Sequence, residues 1–165
     1  MNPRILIAQD VKRSFEYQAG EFAKAAEAHG LEVQTQWFDI RKPAAELIAS
    51  LKRGAWFDWL VTDLLGPGED LDQDSWKSCT GMGLLQEIAA AELFGGYGPR
   101  GERPKGVRCV AVASVLTDHS CVHNPELREA LSALGVDVQW TARGGDLSQI
   151  ADRICERLRL EQETA

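Results

Sequence analysis

The sequence predicts a single α/β domain built as a doubly wound, five-stranded parallel sheet, and three observations carry that expectation. Short apolar runs of strand length alternate strictly with segments of helical period, giving five of each. The run Val107–Ala113 is almost wholly apolar, as befits a parallel strand covered on both faces. Glycines at 30, 54 and 135 fall where the helical periods stop.

Arg4–Ala8 is the first strand, and Asp10 follows it. Phe15, Ala19, Phe22, Ala23 and Ala26 recur at helical spacing before Gly30. Leu31–Phe38 alternates through Leu31, Val33 and Thr35, the pattern of a partly exposed strand. Pro43 opens a helix whose inner face is Leu47, Ile48 and Leu51. Trp56–Thr62 is a buried strand that delivers Asp63, and a polar loop from Gly66 to about Thr80 comes next. Leu84, Leu85, Ile88 and Ala91 mark a third helix, followed by a loop over Gly95–Gly106. After the fourth strand, Asn124 and Pro125 make a cap and first turn for Leu127, Ala130, Leu131 and Leu134. Val136–Trp140 is the last strand. Asp146 with Gln149 resembles a capping box for a helix that turns Leu147, Ile150, Ile154 and Leu158 inward. The domain is expected over 1–160, with 161–165 a frayed tail.

At 165 residues and 44% hydrophobic composition, the chain can bury the core of one domain. A formal charge of -7 and a pI near 5.0 argue against direct nucleic-acid binding, which needs clustered Lys and Arg. No apolar run approaches the ~18 residues of a membrane span, and Ile5–Ala8 is too short for a signal peptide core. Cys79, Cys109, Cys121 and Cys155 form no CxxC pair, so a cytoplasmic chain with scattered thiols is expected.

In doubly wound sheets, sites form outside the carboxyl ends of the strands. Asp10, Asp63 and Ser114 stand at the ends of the first, third and fourth strands. Ile5-Leu6-Ile7-Ala8-Gln9-Asp10 resembles the opening of the response-regulator receiver domains of two-component signalling. Asp58-Trp59-Leu60-Val61-Thr62-Asp63-Leu64-Leu65-Gly66-Pro67-Gly68 is similar to their phosphoacceptor segment, and Gly81-Met82-Gly83-Leu84-Leu85-Gln86-Glu87-Ile88 to the helix after it.

The resemblance spans nearly the whole chain and implies a flavodoxin-like sheet of order 2-1-3-4-5. It also implies phosphorylation of Asp63, with Mg2+ held by Asp10, Asp63 and the carbonyl of Leu65. The cation would offset the charges that phosphoryl transfer brings together. Ser114 would hydrogen-bond a phosphoryl oxygen. The implied partner is a histidine kinase or another signalling protein, and self-association into a homodimer is a further expectation.

The chain departs from the family pattern at three places. Gln9 replaces one of the usual acidic pair. The lysine after the fifth strand is missing, leaving Arg143 nearby with a guanidinium that is not equivalent to an ammonium. The loop after Asp63 is longer than the family needs. The alternative reading is therefore a phosphorylation-independent pseudo-receiver that binds proteins. A small flavodoxin-like enzyme ranks lower, because Gln9–Arg13 is no flavin phosphate loop and no GxSxG occurs.

Other polar clusters have plainer explanations. Asp118, His119, Cys121 and His123 are metal-ligating types, but at no defensible ligand spacing. Glu69, Asp70, Asp72 and Asp74 lack the glycine and glutamate of a calcium loop. Trp56 and Trp59 are packing residues, and Trp76 is expected to dock the long loop on the sheet.

Overall fold

The computed structural model describes residues 2–64, 75–95, 105–112, 125–140 and 147–164. Strands β1 (Arg4–Gln9), β2 (Gln34–Asp39), β3 (Trp56–Thr62) and β4 (Gly106–Val112) form a parallel sheet in the order β2-β1-β3-β4. The four residues of β5 (Asp137–Trp140) extend it alongside β4, pairing Cys109 with Asp137 and Val112 with Trp140. The helices are α1 (Lys12–Ala28), α2 (Ala44–Lys52), α3 (Thr80–Ala90), α4 (Pro125–Ser132) and α5 (Leu147–Glu163), with a 3-10 turn at Ser75–Ser78.

Alternation along the strands divides the core into two layers. Ile5 and Ile7 of β1, Trp59 and Val61 of β3, and Cys109 and Ala111 of β4 pack beneath α1 and α5, against Phe22, Ile150, Ile154 and Leu158. Leu6, Ala8, Leu60, Val110 and Val112 face the other way, toward Leu47 and Leu51 of α2, Leu85 and Ile88 of α3, and Leu127 and Leu131 of α4. A period of two can satisfy both layers only if every strand residue is apolar, which is why β1, β3 and β4 are nearly unbroken hydrophobic runs.

Helix ends are set by local chemistry. At the end of α1 the Leu31 N–H donates to the Ala26 carbonyl (2.8 Å) and the Gly30 N–H to Glu27 (3.1 Å), with Gly30 at φ 67°. This left-handed closure suits glycine, and Gly54 ends α2 in the same way at φ 105°. Leu31 is therefore spent on closing a helix, and β2 begins at Gln34 rather than at Leu31 as its apolar alternation predicts. Trp76 is 5% exposed and lies in the layer beneath α3, while residues 65–74 of the loop it was expected to dock lie outside the described residues.

The end of the chain differs from the expected frayed tail, because α5 continues to Glu163 and its last turns are fastened to the sheet. Arg108 of β4, with its side chain only 3% exposed, donates from Nη1 and Nη2 to the two carboxylate oxygens of Glu161 at 3.0 and 2.8 Å. Its Nε lies 3.6 Å from Oδ1 of Asp58 on the neighbouring strand, and the Arg4 N–H donates to Oδ2 of Asp58 at 2.9 Å. Burial pushes the Asp58 carboxyl above its ordinary pKa, against the opposing pull of the Arg4 N–H and the Arg108 charge.

Removing the central cation takes the charge partner from Asp58 and leaves Glu161 with Arg157, whose Nε lies 3.4 Å from its Oε1. Arg108→Met is expected to lower the unfolding free energy by about 3 kcal/mol. Asp58→Asn, which keeps an acceptor for the Arg4 N–H and removes a poorly solvated charge, should cost less than about 1 kcal/mol. Urea unfolding of the two variants at neutral pH, followed by circular dichroism, checks the contrast.

Candidate functional site

The carboxyl edge of the sheet is where the predicted site residues gather. In the parallel pairing of β1 with β3, Ala8 lies opposite Thr62. Asp63 therefore leaves its strand one residue beyond that pair and Asp10 leaves the adjacent strand two residues beyond it, at the same end. Both side chains are half-buried. Gln9, the accessory position, is the last residue of β1 and is 5% exposed. Leu65, Ser114 and Arg143 lie outside the described residues, as do the 118–123 cluster, the 69–74 acidic run and the capping position Asp146. Among the described residues, no group of three or more His, Cys, Asp or Glu side chains is arranged to hold a metal ion.

Backbone contacts hold Asp63 from both sides. Below it, the Thr62 hydroxyl donates to the Asp63 carbonyl at 2.9 Å. Above it, the first turn of α3 lies directly on the chain: the Gly81 N–H donates to the Leu64 carbonyl at 3.0 Å. A Cβ on Gly81 would collide with the Asp63 carbonyl oxygen and stand 2.6 Å from the Leu64 Cα. The helix can approach this closely only because residue 81 has no side chain. α3 thus begins at Thr80, a turn before the first apolar residue of its predicted period, and brings the positive end of its backbone dipole to Asp63.

Asp10 is set by contacts of the preceding residue. The Gln9 carbonyl accepts the Trp37 indole N–H at 3.0 Å and the Ile40 N–H at 3.1 Å, and Trp37 stacks on Phe15 of α1 with ring centroids 6.1 Å apart. α1 then starts at Lys12 with no acidic residue in its first turn.

Sequence reasoning missed a third carboxylate at this edge. Asp39 ends β2 opposite Gln9, and its side chain is 14% exposed. Arg41 takes both of its oxygens, Nε to Oδ1 at 3.0 Å and Nη2 to Oδ2 at 2.8 Å, while the Arg41 backbone N–H also reaches Oδ1 at 3.0 Å. The Arg41 hydrogen bond holds the Asp39 carboxyl down to a pKa of about 2. The Arg41 guanidinium is in turn raised above its ordinary value, mainly by Asp39 and to a smaller degree by Asp10. The signal was available in the sequence, since an acid that ends a strand and is followed two residues later by a donor forms an Asx-type turn.

The described edge brings half-buried carboxylates from adjacent strands to one end of the sheet, and the positive end of the α3 dipole at Asp63 favours negative charge there.

Two outcomes are expected here. Gly81→Ala should destabilise the fold by about 2 kcal/mol and displace the backbone resonances of residues 63 and 64. An unfolding curve together with an NMR spectrum tests both effects. Because the Asp39 pKa is depressed, the stability contributed by the Asp39–Arg41 pair is present above the unfolded pKa near 3.8 and is lost as pH falls toward 2. A carboxyl-carbon NMR titration should find the Asp39 midpoint near 2, and Arg41→Gln should return it to the ordinary carboxylate range.

Among family models and curated proteins, none matches this chain.

Proposed function

We propose that this chain is a receiver-like signalling module of flavodoxin-like topology, phosphorylated on Asp63 with the help of Mg2+ and acting through a protein-binding surface. The observation that carries this reading is the placement of Asp10 and Asp63 at the carboxyl ends of β1 and β3. Between these strands the chain's winding reverses, and in open α/β sheets that crevice is where ligands bind.

In this reading the Asp63 carboxylate oxygen forms a bond to the phosphorus of a donor held by a partner, such as the phosphohistidine of a histidine kinase, as the donor's P–N bond breaks. Asp10, Asp63 and the carbonyl of Leu65 would hold Mg2+, which would supply positive charge against that of the transferring phosphoryl group. Ser114 receives a phosphoryl oxygen, with Arg143 the nearest counterpart to the family's lysine. Modification then alters the surface that meets the partner or a second copy. The reading places the chain in the cytoplasm, and among the described residues no helix is long and apolar enough to cross a membrane.

A second reading, a phosphorylation-independent protein-binding module, is favoured by Gln9. It is buried at the end of β1 and supplies a neutral amide where the family it resembles has an acid.

Beryllofluoride with magnesium, followed by two-dimensional NMR, separates the two readings. A phosphorylatable module shows shifts centred on residues 10 and 63 that vanish in Asp63→Asn while the fold persists. Absence of any response to the mimic leaves the binding-module reading in its place.

A further inference from the structure

β2 is the outer strand on its side of the sheet, and its bonds to β1 decide which of its backbone groups are left over. The Gln34 N–H donates to the Pro3 carbonyl at 2.8 Å and the Ile40 N–H to the Gln9 carbonyl at 3.1 Å. Backbone direction repeats every second residue, so the even-numbered positions turn N–H and C=O toward β1. Thr35 and Trp37 turn theirs outward, and among the described residues no strand pairs with that side. The free edge ends at Asp39, whose carbonyl accepts the Lys42 N–H at 2.9 Å. An open edge is a template for another strand, and natural proteins commonly guard it with lysine or proline. β2 carries neither, and Gln34 and Gln36 stand exposed on it.

We propose that this edge pairs with β2 of a second copy, antiparallel about a two-fold axis through Gln36. Charge selects both the occupant and the direction. A formal charge of -7 sets two copies against each other, yet Gln34–Phe38 contains no charged residue. The flanks of the strand differ in sign: Glu32 precedes it, whereas Asp39, Arg41 and Lys42 together leave one positive charge at its other end. Antiparallel pairing brings each flank to the oppositely charged flank of the second copy, and parallel pairing would bring like to like. Backbone parity then fixes the register. With the Asp39 carbonyl taken, the register within β2 that engages both outward-facing residues sets Thr35 opposite Trp37 of the second copy. Each such pair exchanges both backbone hydrogen bonds. Between them Gln36 meets Gln36 of the second copy, and a primary amide, donor and acceptor at once, is complementary to itself.

A strand of six residues offers a small contact beside the about 1,200 Å² of a standard interface, so the dimer is weak. Sedimentation equilibrium of the full chain should give a reversible dimer with a Kd below about 1 mM. Raising the protein concentration should slow hydrogen exchange at the Thr35 and Trp37 amides. Gln36→Lys and Gln36→Glu each put like charges face to face and should weaken the dimer at least about fivefold. An equimolar mixture of the two variants should recover the parental affinity or exceed it. A parent that is monomeric at about 1 mM overturns the proposal and leaves the edge to a strand of a different protein. It is also overturned if both variants stay within about twofold of the parent, since the copies then meet elsewhere. Weakening in both variants without recovery in the mixture overturns it too, because Gln36 then does not face its own copy.

Discussion

The pairing of β1 with β3 is the constraint on which the other placements depend. Both strands are buried on each face, so sliding one past the other by a residue would send Ile5 and Ile7 into the layer built for Leu6 and Ala8. The same slip would carry Asp10 about 3.3 Å along the strand relative to Asp63. The geometry of the acidic edge is therefore enforced by hydrophobic packing in the interior. Gln9 and Thr62, the buried polar residues just inside the edge, sit where the apolar layers end.

The two ends of the sheet treat charge in opposite ways. At the amino ends of the strands, Arg108 lies between Asp58 and Glu161 and is shielded from water. There the charges fasten α5 to the neighbouring strands β3 and β4. At the carboxyl ends, Asp10 and Asp63 are half-buried, and Arg41 holds Asp39 through two side-chain hydrogen bonds.

How much of this could be read from the sequence follows from how local each interaction is. Strand identity and the doubly wound arrangement were legible, because a strand buried on both faces must be apolar throughout. The placement of Asp10 and Asp63 at one edge followed from that reading. The start of β2 was not legible: Leu31 looks like a strand residue, yet its N–H closes α1. The apolar period of α3 begins only at Leu84, but the resemblance carried the helix back to Gly81, one residue from its start at Thr80. The Arg108–Glu161 clasp joins residues far apart in the chain, and a pattern of neighbours could not expose it. Asp39 and Arg41 are two residues apart and their pairing is legible in principle, but the resemblance singles out only the ends of β1, β3 and β4.

Trp37 has a use beyond packing. Its indole N–H is bonded to the carbonyl of the residue before Asp10, and its ring lies against Phe15 at the opening of α1. Tryptophan emission responds to the electric field along the indole, so the chain carries an intrinsic optical probe one peptide unit from its acidic edge. A charge added beside that carbonyl would shift the emission of this one indole, one of the five in the chain.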